Sequence, residues 1–283
     1  MTKPSSVVPS GSEGHGTFAA ARSEWLNHED RVRNLVRQEM ISRQLDRHLP
    51  RRPAAILDVG AGQGTQSIRL ARACHQVLAV EPDAEMRAVF TAALADEPSE
   101  VRDRVVLVDG ALGRIGAAAG DHRFDAVLLL GVLMYQPASD PVIDELAARV
   151  APGGILAIAA RTTASALWRP AARQDWQAAA AALAEHDAAR EEHRDVRYVN
   201  EIGAPARADD FDKLVRLAGA AGLELEEWYG VRVAVDLAEI DPPPPDDPAE
   251  LQALLDVEER LGAMNPYRQL AQLAHLILRR PSR

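Results

Sequence analysis

The chain has one cysteine, Cys74, in 283 residues. No internal disulfide can form, and the count fits a reducing compartment. An excess of positive charge is also missing: 32 Lys plus Arg stand against 42 Asp plus Glu, a formal net charge of −10. Non-specific binding of nucleic acid draws on Lys and Arg displacing counterions, so a blanket phosphate binder is disfavoured, although a local basic patch is not. No long apolar run is present. The longest nearly unbroken one, Ala126 to Tyr135, is too short to cross a bilayer. No basic stretch followed by an apolar run opens the chain, so a secretory leader is not expected. The histidines are scattered and no cysteine pair exists, so no metal site is expected. These absences leave an alanine-rich, cytoplasmic α/β protein, long enough for one large domain or two small ones.

Residues Met1 to Thr17 mix Ser, Gly and Pro with little to bury, and read as a disordered tail. Residues 18–283 read as a single domain. From about Asn27 to Leu49, Val32, Leu35, Val36, Ile41 and Leu45 recur at helical spacing until Pro50 and Pro53 end the run. An alternation of apolar strands and helices follows. Strands are expected at Ala54–Val59, Val77–Val80, Val105–Val108, Phe124–Leu130 and Ile155–Ala160. Helices are expected at Thr65–Ala73, Asp83–Ala95 (capped by Asp83) and Asp140–Val150 (Pro141 in its first turn). Pro152-Gly153-Gly154 reads as a turn. Strands that are apolar throughout imply a sheet covered on both faces, hence a doubly wound, mostly parallel α/β fold of about seven strands.

The stretch 163–208 has another texture, with an alanine run at Ala178–Ala182 and dense charge over Asp187–Arg197. It reads as a helical lid inserted over the sheet's edge. A helix over Asp209–Ala221 and a strand region over Gly222–Val235 follow. Residues 241–264 form a second insertion, a stiff proline break at Pro242–Pro245 and then a helix. Leu270–Leu278 is the last strand, and the antiparallel one.

The strongest local signal is Leu57-Asp58-Val59-Gly60-Ala61-Gly62-Gln63-Gly64, directly after the first strand. Glycines let backbone turn sharply and approach a ligand where a Cβ would collide. The following helix N-terminus adds free N–H donors. A dinucleotide fingerprint wants its third glycine one position later, and that position is Thr65. Glu81, in Val80-Glu81-Pro82, stands roughly 20 residues on, where an acid accepts both ribose hydroxyls. The motif resembles the glycine loop of the Rossmann-like (class I) S-adenosylmethionine (SAM) methyltransferases. The resemblance implies SAM as cofactor, with Asp58, Gly60, Ala61 and Gly62 around its methionine and ribose and Glu81 and Pro82 at the ribose. Ala111 and Leu112, in Asp109-Gly110-Ala111-Leu112, would meet adenine, and Leu130 and Gly131 would line the other side.

No His, Asp or Glu occurs in Leu129-Leu130-Gly131-Val132-Leu133-Met134-Tyr135, after the fourth strand. A hydroxyl or amine acceptor usually needs a base, whereas a carboxylate with a pKa of about 4 is already ionised. No catalytic general base is therefore assigned, and a carboxylate acceptor is favoured. His15, His186 and His193 could bring a base from the tail or insertion, but read as surface histidines. Arg232, in an otherwise apolar strand, and Arg161, ending the fifth, could hold a carboxylate.

Three further stretches resemble the bacterial tRNA carboxymethoxyuridine methyltransferases, which esterify a carboxylate on a modified wobble uridine. They are Val36-Arg37-Gln38 through Leu45-Asp46-Arg47, then Gly230-Val231-Arg232-Val233, then Ala253-Leu254-Leu255 with Glu258, Glu259, Arg260, Pro266-Tyr267 and His275. The resemblance implies that Arg37 binds the SAM carboxylate and that Arg232, with Tyr267 and Arg161, holds the acceptor. The chain departs from that family at Leu130 (a histidine there), at Ala263 and Gln272 (basic there) and at Arg161 (a tyrosine there). These departures favour a small-molecule acceptor over tRNA. Methylation of a hydroxyl or amine is the alternative reading; a catalytically silent SAM-binding module and a nicotinamide oxidoreductase are rivals. Oligomeric state is not legible.

Overall fold

The computed structural model describes residues 31–200, 202–238 and 240–282. The expected tail, His15 and the first turn of the expected pre-strand helix lie outside them. The strands are β1 (Ala55–Val59), β2 (Gln76–Glu81), β3 (Val105–Asp109), β4 (Phe124–Leu130), β5 (Val150–Ala160), β6 (Val196–Val199), β7 (Pro205–Ala208), β8 (Glu224–Val231) and β9 (Leu273–Arg279), and all but β6 and β7 form where apolar runs predict them. Seven of them make one sheet in the order β3-β2-β1-β4-β5-β9-β8, and β6 and β7 pair separately as a ribbon. β9 runs antiparallel to β5 and to β8, while the pairs β1–β2, β1–β4, β2–β3 and β4–β5 are parallel. The strand order reverses direction at β1 and β4, and ligands of such sheets bind in the crevice there.

Besides a single turn at Ser99–Arg102, the helices are α1 (Val32–Asp46), α2 (Thr65–Arg72), α3 (Ala84–Ala95), α4 (Ile115–Ala119), α5 (Asp140–Ala147), α6 (Thr163–Ala172), α7 (Trp176–Glu191), α8 (Phe211–Ala220) and α9 (Pro248–Ala263). Strand side chains alternate between faces, so β4 sends Ala126 and Leu128 to one core and Val127 and Leu129 to the other. The first core joins α1, α2, Phe90 of α3 and Leu255 of α9. The second joins α4, α5 and α8. Asp83 caps α3 as expected, its Oδ1 accepting from the amides of Glu85 at 2.9 Å and Met86 at 3.0 Å.

Three local expectations change. Pro152-Gly153-Gly154 lies inside β5 as a bulge: pairing with β4 slips between Phe124–Val150 and Ala126–Ile155. The bulge needs glycine, because Gly153 has φ +77° and a Cβ on Gly154 would lie 2.8 Å from the Asp125 carbonyl oxygen. The insertion is not wholly helical, since α6 and α7 lead into the β6–β7 ribbon. Nor does it contact only the sheet's edge: Arg207 of β7 donates through Nη2 to the Leu133 carbonyl at 3.1 Å and through Nε to that of Gln136 at 3.1 Å. That loop follows β4, in the middle of the sheet. The helix of the second insertion, α9, packs on α1 and β8, and Gly262 approaches Gly230 so closely that a Cβ would meet its carbonyl oxygen at 2.4 Å.

His275 of β9 is fully buried, and Nδ1 lies 2.8 Å from Gln44 Oε1 of α1. Burial, with a small contribution from His48, pushes its pKa down to about 3. The folded state thus holds the neutral ring while the unfolded chain takes up a proton below about 6.5. The stabilisation is complete above that pH and is lost as pH falls. Relative to His275→Gln, the wild type should lose about 1.4 kcal/mol per pH unit between about 6.5 and 3. Urea unfolding of both proteins across that range checks this; parallel curves would exclude it.

Candidate functional site

The carboxyl ends of β1, β2, β3 and β4 surround a cavity of about 510 Å³. Gly60, Gly62 and Gly64 take φ of +71°, +57° and +86°, a region that a Cβ disfavours. Space forbids a side chain as well: a Cβ on Gly60 would meet Val132 Cγ2 at 2.4 Å, and one on Gly64 the Phe90 ring at 2.2 Å. The loop is tied to β2 by the amides of Gly60 (2.8 Å) and Ala61 (3.2 Å), which donate to the Val80 carbonyl.

Glu81 ends β2 beside this loop and is buried. Its Oε2 accepts from the Gly62 amide at 2.7 Å and its Oε1 from the Asp83 amide at 2.9 Å. Burial raises its pKa, and those two amides oppose the rise. Asp58, also buried, accepts from Ser67 Oγ at 2.6 Å; burial outweighs that bond and brings its pKa to about 6. Arg87 donates to the Glu81 carbonyl at 2.8 Å and pairs with Asp109 at 3.1 Å, joining the ends of β2 and β3. The loop after β3 is clamped by Glu145, which accepts from the amides of Gly113 at 2.6 Å and Ile115 at 3.0 Å.

The cavity wall brings together the residues expected at a cofactor. Asp58, Gly60, Ala61 and Gly62 line it from the first loop, Glu81 and Pro82 from the second, Ala111 and Leu112 from the third, and Leu130 and Gly131 from the fourth. Arg37 reaches it from α1. The wall also contains Gln38, Gln66, Asp83, Met86, Asp109, Arg114, Tyr135 and Gln136. Gln38, Asp83, Asp109 and Tyr135 stood in segments quoted from the sequence, but none of the eight was assigned to the site. Tyr135 was submerged in the apolar run that ends on it, with nothing local to mark it as facing a cavity.

The residues expected to hold an acceptor fall elsewhere. Arg232, Arg161 and Tyr267 are not in the cavity wall. Arg232 lies just past β8 at φ +63°, and its guanidinium grips Asp236 through Nε at 2.7 Å and Nη2 at 2.5 Å. Fully buried Asp236 also faces Arg33 at 3.3 Å, Arg173 at 3.4 Å and Arg169 at 3.6 Å. Burial lowers the Arg169 pKa to about 10, and the neighbouring arginines add to that effect against Asp236. Arg161 stacks on the Tyr198 ring at 4.4 Å. Tyr267 is half-exposed and begins a 3₁₀ turn, Tyr267–Leu270. Of the three positions expected to hold an acceptor, Arg232 thus lies in a buried charge cluster, Arg161 in a stacked pair and Tyr267 at the surface.

Residues 57–158, which carry the glycine loop and β1 to β5, match the family described as methyltransferase domain. The chain is a SAM-dependent methyltransferase; its glycine loop has no room for a Cβ at Gly60 or Gly64, and Asp58 and Glu81 line the cavity beside it. No curated protein matches the chain. Among solved structures it is similar to the 1,6-didemethyltoxoflavin-N1-methyltransferase of Burkholderia thailandensis (TM-score 0.55, 17% identity, 97% of this chain and 93% of that one). It is also similar to a SAM-dependent methyltransferase of Thermotoga maritima (TM-score 0.56, 15% identity, 96% and 100%). A third is the glycopeptide N-methyltransferase MtfA complexed with S-adenosylhomocysteine (TM-score 0.52, 16% identity, 86% and 89%). At such identities the likeness is one of fold. Among the described residues no helix is long and apolar enough to cross a membrane, and no cluster of metal-ligating side chains occurs.

Proposed function

We propose that the enzyme methylates a carboxylate oxygen on a small molecule or a modified nucleoside. One observation carries the reading. Among the described residues, the cavity wall after β4, formed by Leu130, Gly131, Val132, Tyr135 and Gln136, holds no His, Asp or Glu, and no histidine lines the cavity. An acceptor there meets no side chain suited to removing a proton, and a carboxylate needs none near neutral pH. The cofactor supplies an electrophilic methyl group when bound. The chain's part is to hold the partners in line and keep water out. Asp58, Glu81 and Arg37 are assigned to cofactor binding, with Arg37 kept in place by Asn34 Oδ1 at 3.1 Å. The departures from the tRNA-modifying family and the charge of −10 favour a metabolite over tRNA.

The test is incubation with methyl-labelled SAM and a deproteinised extract of the host, split into RNA and small-molecule fractions and then treated with mild base. Label in small molecules that is released as methanol is the expected result. The same label in RNA would move the acceptor to a nucleoside. Base-stable label would replace the carboxylate with an amine or hydroxyl. Intact SAM binding with no label anywhere would favour a silent module.

A further inference from the structure

Tyr135 closes a 3₁₀ turn, Leu133–Tyr135, and reaches the cavity from there. Its hydroxyl is held by the insertion: Asn200, just past β6, donates through Nδ2 to Tyr135 Oη at 2.9 Å. The orientation of that amide is fixed at its other end. Asn200 Oδ1 accepts from the amides of Ile202 at 3.2 Å and Ala204 at 2.8 Å. A flipped side chain would set its NH₂ against two N–H donors, so Nδ2 is the end that faces the phenol. The phenol oxygen therefore acts as an acceptor towards Asn200, which strengthens its own O–H as a donor.

The turn itself is fastened to the same ribbon. Arg207, which reaches the Leu133 and Gln136 carbonyls, is braced by Asp209 at 2.6 Å and Asp195 at 2.8 Å. Tyr198 adds a contact from its hydroxyl to Met134 Sδ at 3.6 Å. The acids of the cavity, Asp58, Glu81, Asp83 and Asp109, come from the β1, β2 and β3 ends. Among the described residues the wall after β4 is neutral, and the ribbon fastens it.

We propose that Tyr135 touches the methyl acceptor and that Asn200 is its positioning residue, so that the insertion at 163–208 selects the acceptor. The inference rests on the methyl-transfer reading. A phenol donor set in a wall free of acids suits an acceptor carrying an oxyanion, a carboxylate in the first instance.

The test is a double-mutant cycle of Tyr135→Phe and Asn200→Ala, run on whichever extract fraction the wild type labels. Calorimetric SAM titration accompanies each variant. Tyr135→Phe should lower kcat/KM about 30-fold and Asn200→Ala about 10-fold. The double variant should be no worse than Tyr135→Phe, because Asn200 acts through Tyr135. SAM affinity should stay within about twofold in all three. Additive losses, wild-type turnover in either variant, or a parallel loss of SAM affinity would overturn the proposal.

A second arm stands apart from turnover. The chain has four tyrosines, so ¹³Cζ-tyrosine spectra are assignable. With S-adenosylhomocysteine bound, Asn200→Ala should shift the Tyr135 resonance. The small-molecule extract should move Tyr135 in the wild type and leave Tyr229 and Tyr267 still. A silent Tyr135 resonance overturns the inference even if carboxyl methylation is established. A responsive one sustains it even if the labelled product is an amine.

Discussion

Replacing Asp236 by alanine is expected to cost about 3–5 kcal/mol of folding stability, the range for removing one partner of a buried ion pair. The carboxylate is fully buried and is contacted by Arg232, Arg33, Arg173 and Arg169. It joins α1, α6 and the chain leaving β8 at one point. Arg173 adds a bond from Nε to the Asp236 carbonyl at 2.8 Å. Without the carboxylate these guanidinium groups confront one another with little water to screen them. The nearby buried carboxylate of Glu258 cannot substitute, because it accepts from the amides of Val233 at 2.7 Å, Ala234 at 2.8 Å and Val235 at 2.7 Å. Burial alone would raise the Asp236 pKa, but Arg232, Arg169 and Arg33 outweigh it and hold it below the usual carboxylate range. Its stabilisation is thus present above the unfolded value of about 3.8 and lost as pH falls through the folded one. Asp236→Asn keeps the shape and removes the charge, so it should approach the cost of the alanine. Urea unfolding at neutral pH reads both, and losses under about 1 kcal/mol in each would show that the cluster does not hold these elements together.

Glu81→Ala should weaken SAM binding by about 100- to 1000-fold. Hydrogen bonds to a charged group are worth about 1.5–3 kcal/mol each, and a tenfold change in affinity corresponds to about 1.4 kcal/mol. Two ribose hydroxyls on one carboxylate account for a loss of that size. The alanine also strips the Gly62 and Asp83 amides of their acceptor, so the glycine loop loses its link to the end of β2. Glu81→Gln retains one oxygen acceptor and should lose about tenfold. Calorimetric titration with SAM decides the matter, with a urea midpoint confirming that each variant is folded. Wild-type affinity in Glu81→Ala would remove Glu81 from the cofactor site.

The sheet and the glycine loop were legible in the sequence because their causes are local. Apolar runs five to seven residues long, such as Ala55–Val59 and Phe124–Leu130, can be buried on both sides only between two layers of helices. The spacing Gly60, Gly62, Gly64 announces positive φ, and the structure has it at all three. Glu81 follows from the fixed length of one helix and one strand. The insertion was legible as an interruption but not as a ribbon, since Val196–Val199 and Pro205–Ala208 are too short and too mixed in polarity to show a strand period.

The sequence by itself therefore determined the doubly wound sheet, the place of the glycine loop and the acid one strand later. Only the tertiary structure decided what the long polar side chains do. Arg232 carries the same guanidinium whether it meets an acceptor or Asp236, and Asp236 is buried where Arg33 and Arg169 arrive from distant parts of the chain. Tyr135 faces a cavity because β4 ends beside β1, and its hydroxyl is oriented because β6 brings Asn200 across to it. Backbone periodicity is written in neighbouring residues; the partner of a guanidinium or a phenol is chosen by elements that meet only once the sheet has formed.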